Sequence, residues 1–157
     1  MTMRAPRWFR CFGLGAACAL VSPLLCADDI KLHECPLAVR TTIERNLLGG
    51  KLDEIKEIRI ADHTLYVVEI DLKGFREAKL YVAGDGTLRK TVQEIRFKDL
   101  PEPVRAALNR YTKKGKVEDV EMVYINGKVQ YEVEIDQPKG PDRIITFDAD
   151  GTVTDEK

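Results

Sequence analysis

Tyr66-Val67-Val68-Glu69-Ile70-Asp71 and Tyr131-Glu132-Val133-Glu134-Ile135-Asp136 carry one pattern, written 65 residues apart. In a strand, successive side chains point to opposite faces. Tyr66, Val68 and Ile70 then share one side against Val67, Glu69 and Asp71. Tyr131, Val133 and Ile135 do the same against Glu132, Glu134 and Asp136. Period-two alternation of this kind marks an antiparallel sheet with one face covered and one wet.

Working outward, the same offset aligns Pro36 with Pro101 and runs without a gap to Leu88 and Val153. Fifteen of the 53 aligned pairs are identical, including Gly50-Lys51 with Gly115-Lys116 and Asp85-Gly86-Thr87 with Asp150-Gly151-Thr152. Repetition at a fixed spacing is the first thing to read in a chain, because it sets the architecture. Pro36 and Pro101 stand where a helix tolerates proline, in its first turn. Val39, Ile43 and Leu47 follow at helical spacing, as do Val104, Leu108 and Tyr111. Ile58 and Ile60, then Val123 and Ile125, read as inward-facing strand residues. Asn126-Gly127 is a strong hairpin signal, since both positions accept positive φ. Leu80-Tyr81-Val82 and Ile145-Thr146-Phe147 lead into the Asp-Gly turns. The expected fold is α+β: a tandem duplication of a helix followed by a three- or four-stranded antiparallel sheet, the helix packed on one sheet face. The expected boundaries are 1–27, 28–95 and 96–157.

The first 27 residues read differently. Arg4, Arg7 and Arg10 precede an uncharged run from Cys11 to Leu25, and Ala27 stands before Asp28-Asp29. A positive start, a short apolar stretch and a small residue make a cleavable signal peptide, cut after Ala27. The run is shorter than the roughly 20 apolar residues a membrane span needs. Periplasmic or secreted location is the expectation. The remaining chain has 22 basic against 26 acidic residues. That balance excludes the strongly basic face of a nucleic-acid binder. Its lack of serine, Ser22 being the only one in the sequence, excludes serine-nucleophile chemistry. Cys35 is the one cysteine beyond residue 27, so the fold stands on its core rather than on an internal disulfide.

Three stretches resemble a known family. The Leu100-Pro101-x-x-Val104 helix start, the Tyr131-x-Val133-x-Ile135 strand and the closing Phe147-Asp148-x-Asp150-Gly151-x-Val153 are similar to the PepSY-like, β-lactamase-inhibitor-like repeats of exported bacterial proteins. The resemblance spans about residues 34–157 and is clearer in the second copy. It implies a helix on one sheet face per repeat and a non-enzymatic role, with peptidase or β-lactamase inhibition as the activity. It also implies contacts on the open sheet face, without specifying residues.

Cys35 is the most reactive side-chain type available, two residues from His33 and at a helix start, where a thiol pKa can fall. The offset sets it opposite Leu100, an apolar position that packs back on the first helical turn. Packing is the favoured role, and a thiol- or metal-dependent envelope protein centred on Cys35 is the alternative. His33, Cys35 and His63 match no zinc spacing, so no metal or other cofactor is expected. Asp148-Ala149-Asp150-Gly151 reads as a turn rather than a calcium loop, which needs further acids. Glu69/Asp71 and Glu134/Asp136 read as a solvated face rather than a glycosidase pair. Putting Ile58, Ile60, Val123 and Ile125 inward turns Arg59, Met122 and Tyr124 outward, joined by Val67, Tyr81 and Ile144. Aromatic, methionine and arginine side chains among carboxylates are the composition of a protein-binding surface. These six are the expected contacts for an envelope or extracellular protein partner, with dimerisation left open.

Overall fold

A proline presets φ near −65° and lacks an N–H, so it suits the step from extended chain into a helix. Pro36 (φ −52°, ψ 147°) and Pro101 (φ −54°, ψ 145°) are the extended residues that cap α1 (Leu37–Arg45) and α2 (Glu102–Leu108). A turn of 3-10 helix precedes each, Leu32–Glu34 and Phe97–Asp99. Its final acid accepts a backbone N–H from three residues back: Lys31 N donates to Glu34 Oε2 at 2.6 Å, and Arg96 N to Asp99 Oδ2 at 3.4 Å.

The computed structural model describes residues 26–157 except positions 75, 113 and 114. The expected signal peptide therefore lies outside the described residues, apart from Cys26 and Ala27. The strands are β1 (Cys26–Asp29), β2 (Lys51–Ile60), β3 (His63–Leu72), β4 (Arg76–Ala83), β5 (Leu88–Glu94), β6 (Lys116–Ile125), β7 (Lys128–Asp136), β8 (Arg143–Asp148) and β9 (Val153–Glu156). Among the described residues they form one sheet of nine strands, in chain order from β1 to β9. Every neighbouring pair is antiparallel. Asn126 (φ 54°) and Gly127 (φ 76°) make the tight turn between β6 and β7.

This corrects the expected fold class. There are not two helix-plus-small-sheet units: β5 pairs with β6 from Lys90↔Ile125 to Glu94↔Glu121, so the sheet is continuous. The helices are also only nine and seven residues long, which makes the fold mainly β rather than α+β. The physical reason is the cost of a free edge. A sheet ending at β5 and another starting at β6 would each expose a row of unpaired backbone groups. Joining them satisfies both rows, and hydrophobic periodicity within a strand carries no information on that choice.

Both helices lie on the same face. A cross-strand row passes from Leu52 through Ile70, Ala78, Gln93, Met122 and Tyr131 to Phe147, joining residues beneath α1 to residues beneath α2. Under α1 the core holds Cys35, Val39, Ile43, Ile55, Val68, Ile70, Leu80 and Val82. Under α2 it holds Leu100, Val104, Leu108, Val120, Val133, Ile135, Ile145 and Phe147, each 65 positions from its counterpart. Local irregularities keep the same spacing. Bulges fall at Leu52/Glu54 and Val117/Asp119. Gly86 and Gly151 share φ 85°, and a Cβ at either would meet the backbone of Ala38 or Pro103 within 2.8 Å.

Candidate functional site: the open face of the sheet

The helices cover one face, so residues of opposite parity form the other. Cross-strand partners share a face, which makes the open face traceable residue by residue. Val67 pairs with Tyr81, Tyr81 with Lys90 and Lys90 with Ile125. The next row runs Glu69, Lys79, Val92, Val123, Gln130. The row beyond it runs Glu94, Glu121, Glu132, Thr146, Asp155. Ile144, paired with Glu134, stands beside that last row.

Three of the six expected contacts, Val67, Tyr81 and Ile144, therefore share the open face. Arg59, Met122 and Tyr124 do not. Met122 pairs with Tyr131 and Gln93, and Tyr124 with Thr91, all on the helix side. Arg59 is also on the helix side, where it pairs with Glu57 at 2.5 Å, and Glu57 Oε1 accepts the Tyr66 hydroxyl at 3.0 Å. Conversely Ile58, Ile60, Val123 and Ile125 are on the open face. The parity was reversed because core-facing Ile55 and Val120 lie an odd number of residues from them, and one step exchanges every side chain between faces.

The open face is apolar toward β2 and β3 and acidic toward β6 and β7. Tyr81 is half-buried there, with the Lys90 ammonium 5.5 Å from its ring centroid. Burial pushes the Tyr81 hydroxyl pKa up. Lys79 pairs with Glu69 at 2.9 Å. Val92 and Val123, each 6% exposed, are buried outside both helix-side clusters.

Glu121 is the residue that sequence reading passed over. It is 6% exposed, and its Oε1 is buried without a hydrogen-bond partner. Burial, followed by repulsion from Glu132 and Glu94, pushes its pKa up to about 8. Glu94 is raised too, by burial first, although it accepts the Glu77 backbone N–H at 3.0 Å. The signal available in sequence was position: Glu121 lies one residue from core-facing Val120 and two from Val123.

The remaining candidates lie elsewhere in the fold. Cys35 is buried, with its thiol 3.8 Å from the Lys31 carbonyl, and burial pushes its pKa up, opposite to what a reactive thiol needs. His33 and His63 are both exposed, His33 in the 3-10 turn and His63 at the start of β3. Asp150 Oδ1 accepts the Thr152 backbone N–H at 2.9 Å, as Asp85 Oδ1 does from Thr87 at 2.8 Å, so both Asp-Gly stretches are turns. Among the described residues, the carboxylates close enough to share one ion are Glu118, Glu134 and Asp142.

No protein-family model matches the chain, and no curated protein matches it in sequence. Solved structures do. A DUF2874 family protein from Bacteroides uniformis superposes with a TM-score of 0.63 at 16% identity, over 78% of this chain and 88% of that one. A BLIP-like protein from Bacteroides fragilis gives 0.60 at 18% identity, over 78% and 85%. A protein provisionally described as periplasmic, from Bacteroides eggerthii, gives 0.64 at 15% identity, over 78% and 88%. These likenesses extend to the fold, and the BLIP-like neighbour is similar to this chain in architecture.

Proposed function

We propose that this chain is an exported, periplasmic module that works by binding another protein through the open face of its sheet, and that it is not an enzyme. The face itself carries the proposal. It spans the whole nine-stranded sheet and lies opposite both helices. It presents Val67, Tyr81 and Ile144 partly exposed beside a row of carboxylates. A broad face with an aromatic anchor and a polar surround has the makeup of a recognition surface. Support also comes from the arginine-led N-terminal stretch and from structural neighbours described as BLIP-like and periplasmic. Inhibition of a hydrolase is the finer reading in keeping with the BLIP-like neighbour.

The test is retention of a partner from the envelope of the source organism. Wild type is compared with Val67→Glu on the open face and with Leu37→Glu on exposed α1. A protein retained by wild type and Leu37→Glu but lost by Val67→Glu is the expected result. Loss with Leu37→Glu and retention with Val67→Glu would move the site to the helix side and sink the proposal.

A further inference from the structure

Taking the open face as the binding surface proposed above, we infer that its second half is a seat for an arginine side chain presented by the protein partner, with Glu121 at its centre between Glu94 and Glu132. Glu94, Glu121 and Glu132 are direct cross-strand neighbours on β5, β6 and β7. Like charges directly opposite one another destabilise a sheet. The central carboxylate is also more than nine-tenths buried, with one oxygen unpartnered. A buried carboxylate is costly unless paired.

Lys90 and Arg76 act on Glu121 and Glu94 through space, yet each cation around the row also holds another partner. Lys90 sits over the Tyr81 ring. Lys157 pairs with Asp155 at 3.0 Å. Arg76, beside Glu94, donates to the Lys73 and Glu94 backbone carbonyls.

The first half of the sheet shows what is missing. Sixty-five residues earlier, the three positions are Asp29, Lys56 and Val67, paired in the same way across β1, β2 and β3. There the central residue is itself the cation, bound to Glu54 at 2.5 Å. At Glu121 the matching position is an acid instead, so the cation that would hold it ionised has to come from outside. Adjacent strands lie about 4.8 Å apart, a spacing that a planar guanidinium can bridge with its fork of donors. Guanidinium is also more weakly hydrated than ammonium, which suits a nearly closed position. A divalent ion fits less well, since the carboxylates that converge closely enough for one are Glu118, Glu134 and Asp142.

The probes are a capped peptide of about seven residues alternating threonine and arginine, and its citrulline counterpart, which keeps the shape and removes the charge. Both are titrated into the isotope-labelled protein in its exported form, reading amide shifts and affinity. The arginine peptide is expected to bind at least about tenfold tighter, a gain typical of a charge-assisted pair, with shifts centred on β5, β6 and β7. Glu121→Gln should remove that preference, while Glu102→Gln on α2 should keep it. Equal binding of the two peptides, binding of neither, or full arginine preference in Glu121→Gln would each overturn the inference. Equal binding with shifts on the open face would leave the open-face proposal standing. Shifts confined to the helix side would overturn both.

Discussion

Two rows of the open face occupy equivalent places in the two halves of the sheet and differ in nearly every residue. Asp29, Lys56, Val67, Tyr81 and Lys90 cross β1 to β5, whereas Glu94, Glu121, Glu132, Thr146 and Asp155 cross β5 to β9. The first row is apolar and basic after its leading acid; the second has four acids and no base. On the helix side the same offset finds Val68 and Val133, Ile70 and Ile135, Leu80 and Ile145, all buried. Packing constrains the covered face, because interiors are dense and any change of shape is felt. Solvent relaxes that constraint on the open face, which leaves its residues free to diverge.

The covered face should break most severely. Phe147, fully buried against Tyr111 in an edge-to-face contact with centroids 6.2 Å apart, stands where the first half has Val82. Phe147→Ala should cost about 3–5 kcal/mol through lost burial and the cavity left behind. Val82→Ala should cost less, since it removes fewer atoms. Urea denaturation of the two variants checks the ranking, and equal losses would show that the two cores are not equivalent in packing.

A second prediction concerns pH and belongs to the second row alone. The pKa of Glu121 rises from 4.5 to about 8 on folding. The folded state therefore holds a proton that the unfolded chain releases, and stability falls as pH climbs through that window. The contribution is fully present below about 4.5 and gone above about 8. Glu94, also raised and next to Glu121, adds in the same direction. Stability to unfolding should drop from pH 5 to pH 8.5 by on the order of a few kcal/mol, read as a falling melting temperature, and Glu121→Gln should flatten the drop. An unchanged slope in that variant would place the titration elsewhere.

Much of the covered face was legible in sequence and much of the open face was not. Alternation located the β3, β4, β7 and β8 segments, and the prolines located both helix starts. Parity failed on β2 and β6 because both strands carry apolar residues on both faces. Ile55 and Val120 go to the core, while Ile58, Ile60, Val123 and Ile125 go to the other side. Only the helix lying across Ile55 or Val120 decides between the two sets. The continuity of the sheet was hidden for a related reason: β5 reads Leu88-Arg89-Lys90-Thr91-Val92-Gln93-Glu94, too polar to announce a central strand. Glu121 escaped notice because exposed glutamates are ordinary, and its burial depends on neighbours from three strands.

Cys35 and Leu100 form the next comparison, two residues that precede the two helices and are both nearly fully buried. Importing the second half's residue, Cys35→Leu, adds volume to a packed site and should cost about 1–3 kcal/mol. In the unmodified protein, a thiol reagent at neutral pH should react with Cys35 only as denaturant unfolds the chain, because the ionised thiol is disfavoured where it sits. Prompt stoichiometric reaction under native conditions would instead revive a thiol-based role.

The smallest effect should come from Tyr124, whose counterpart is Arg59 and which lies, 45% exposed, on the helix side. Much of its ring is already in water, so Tyr124→Ala should cost no more than about 1 kcal/mol and leave the fold intact. If the open face alone binds the partner, the same variant should hold it as tightly as wild type does, while Tyr81→Ala should weaken it by about tenfold, the cost of removing a buried aromatic anchor. Measuring both variants against one captured partner sharpens the contrast between faces. Equal losses would mean that the partner wraps the sheet and touches both sides, and then the divergence of the two open-face rows would answer only part of the question of recognition.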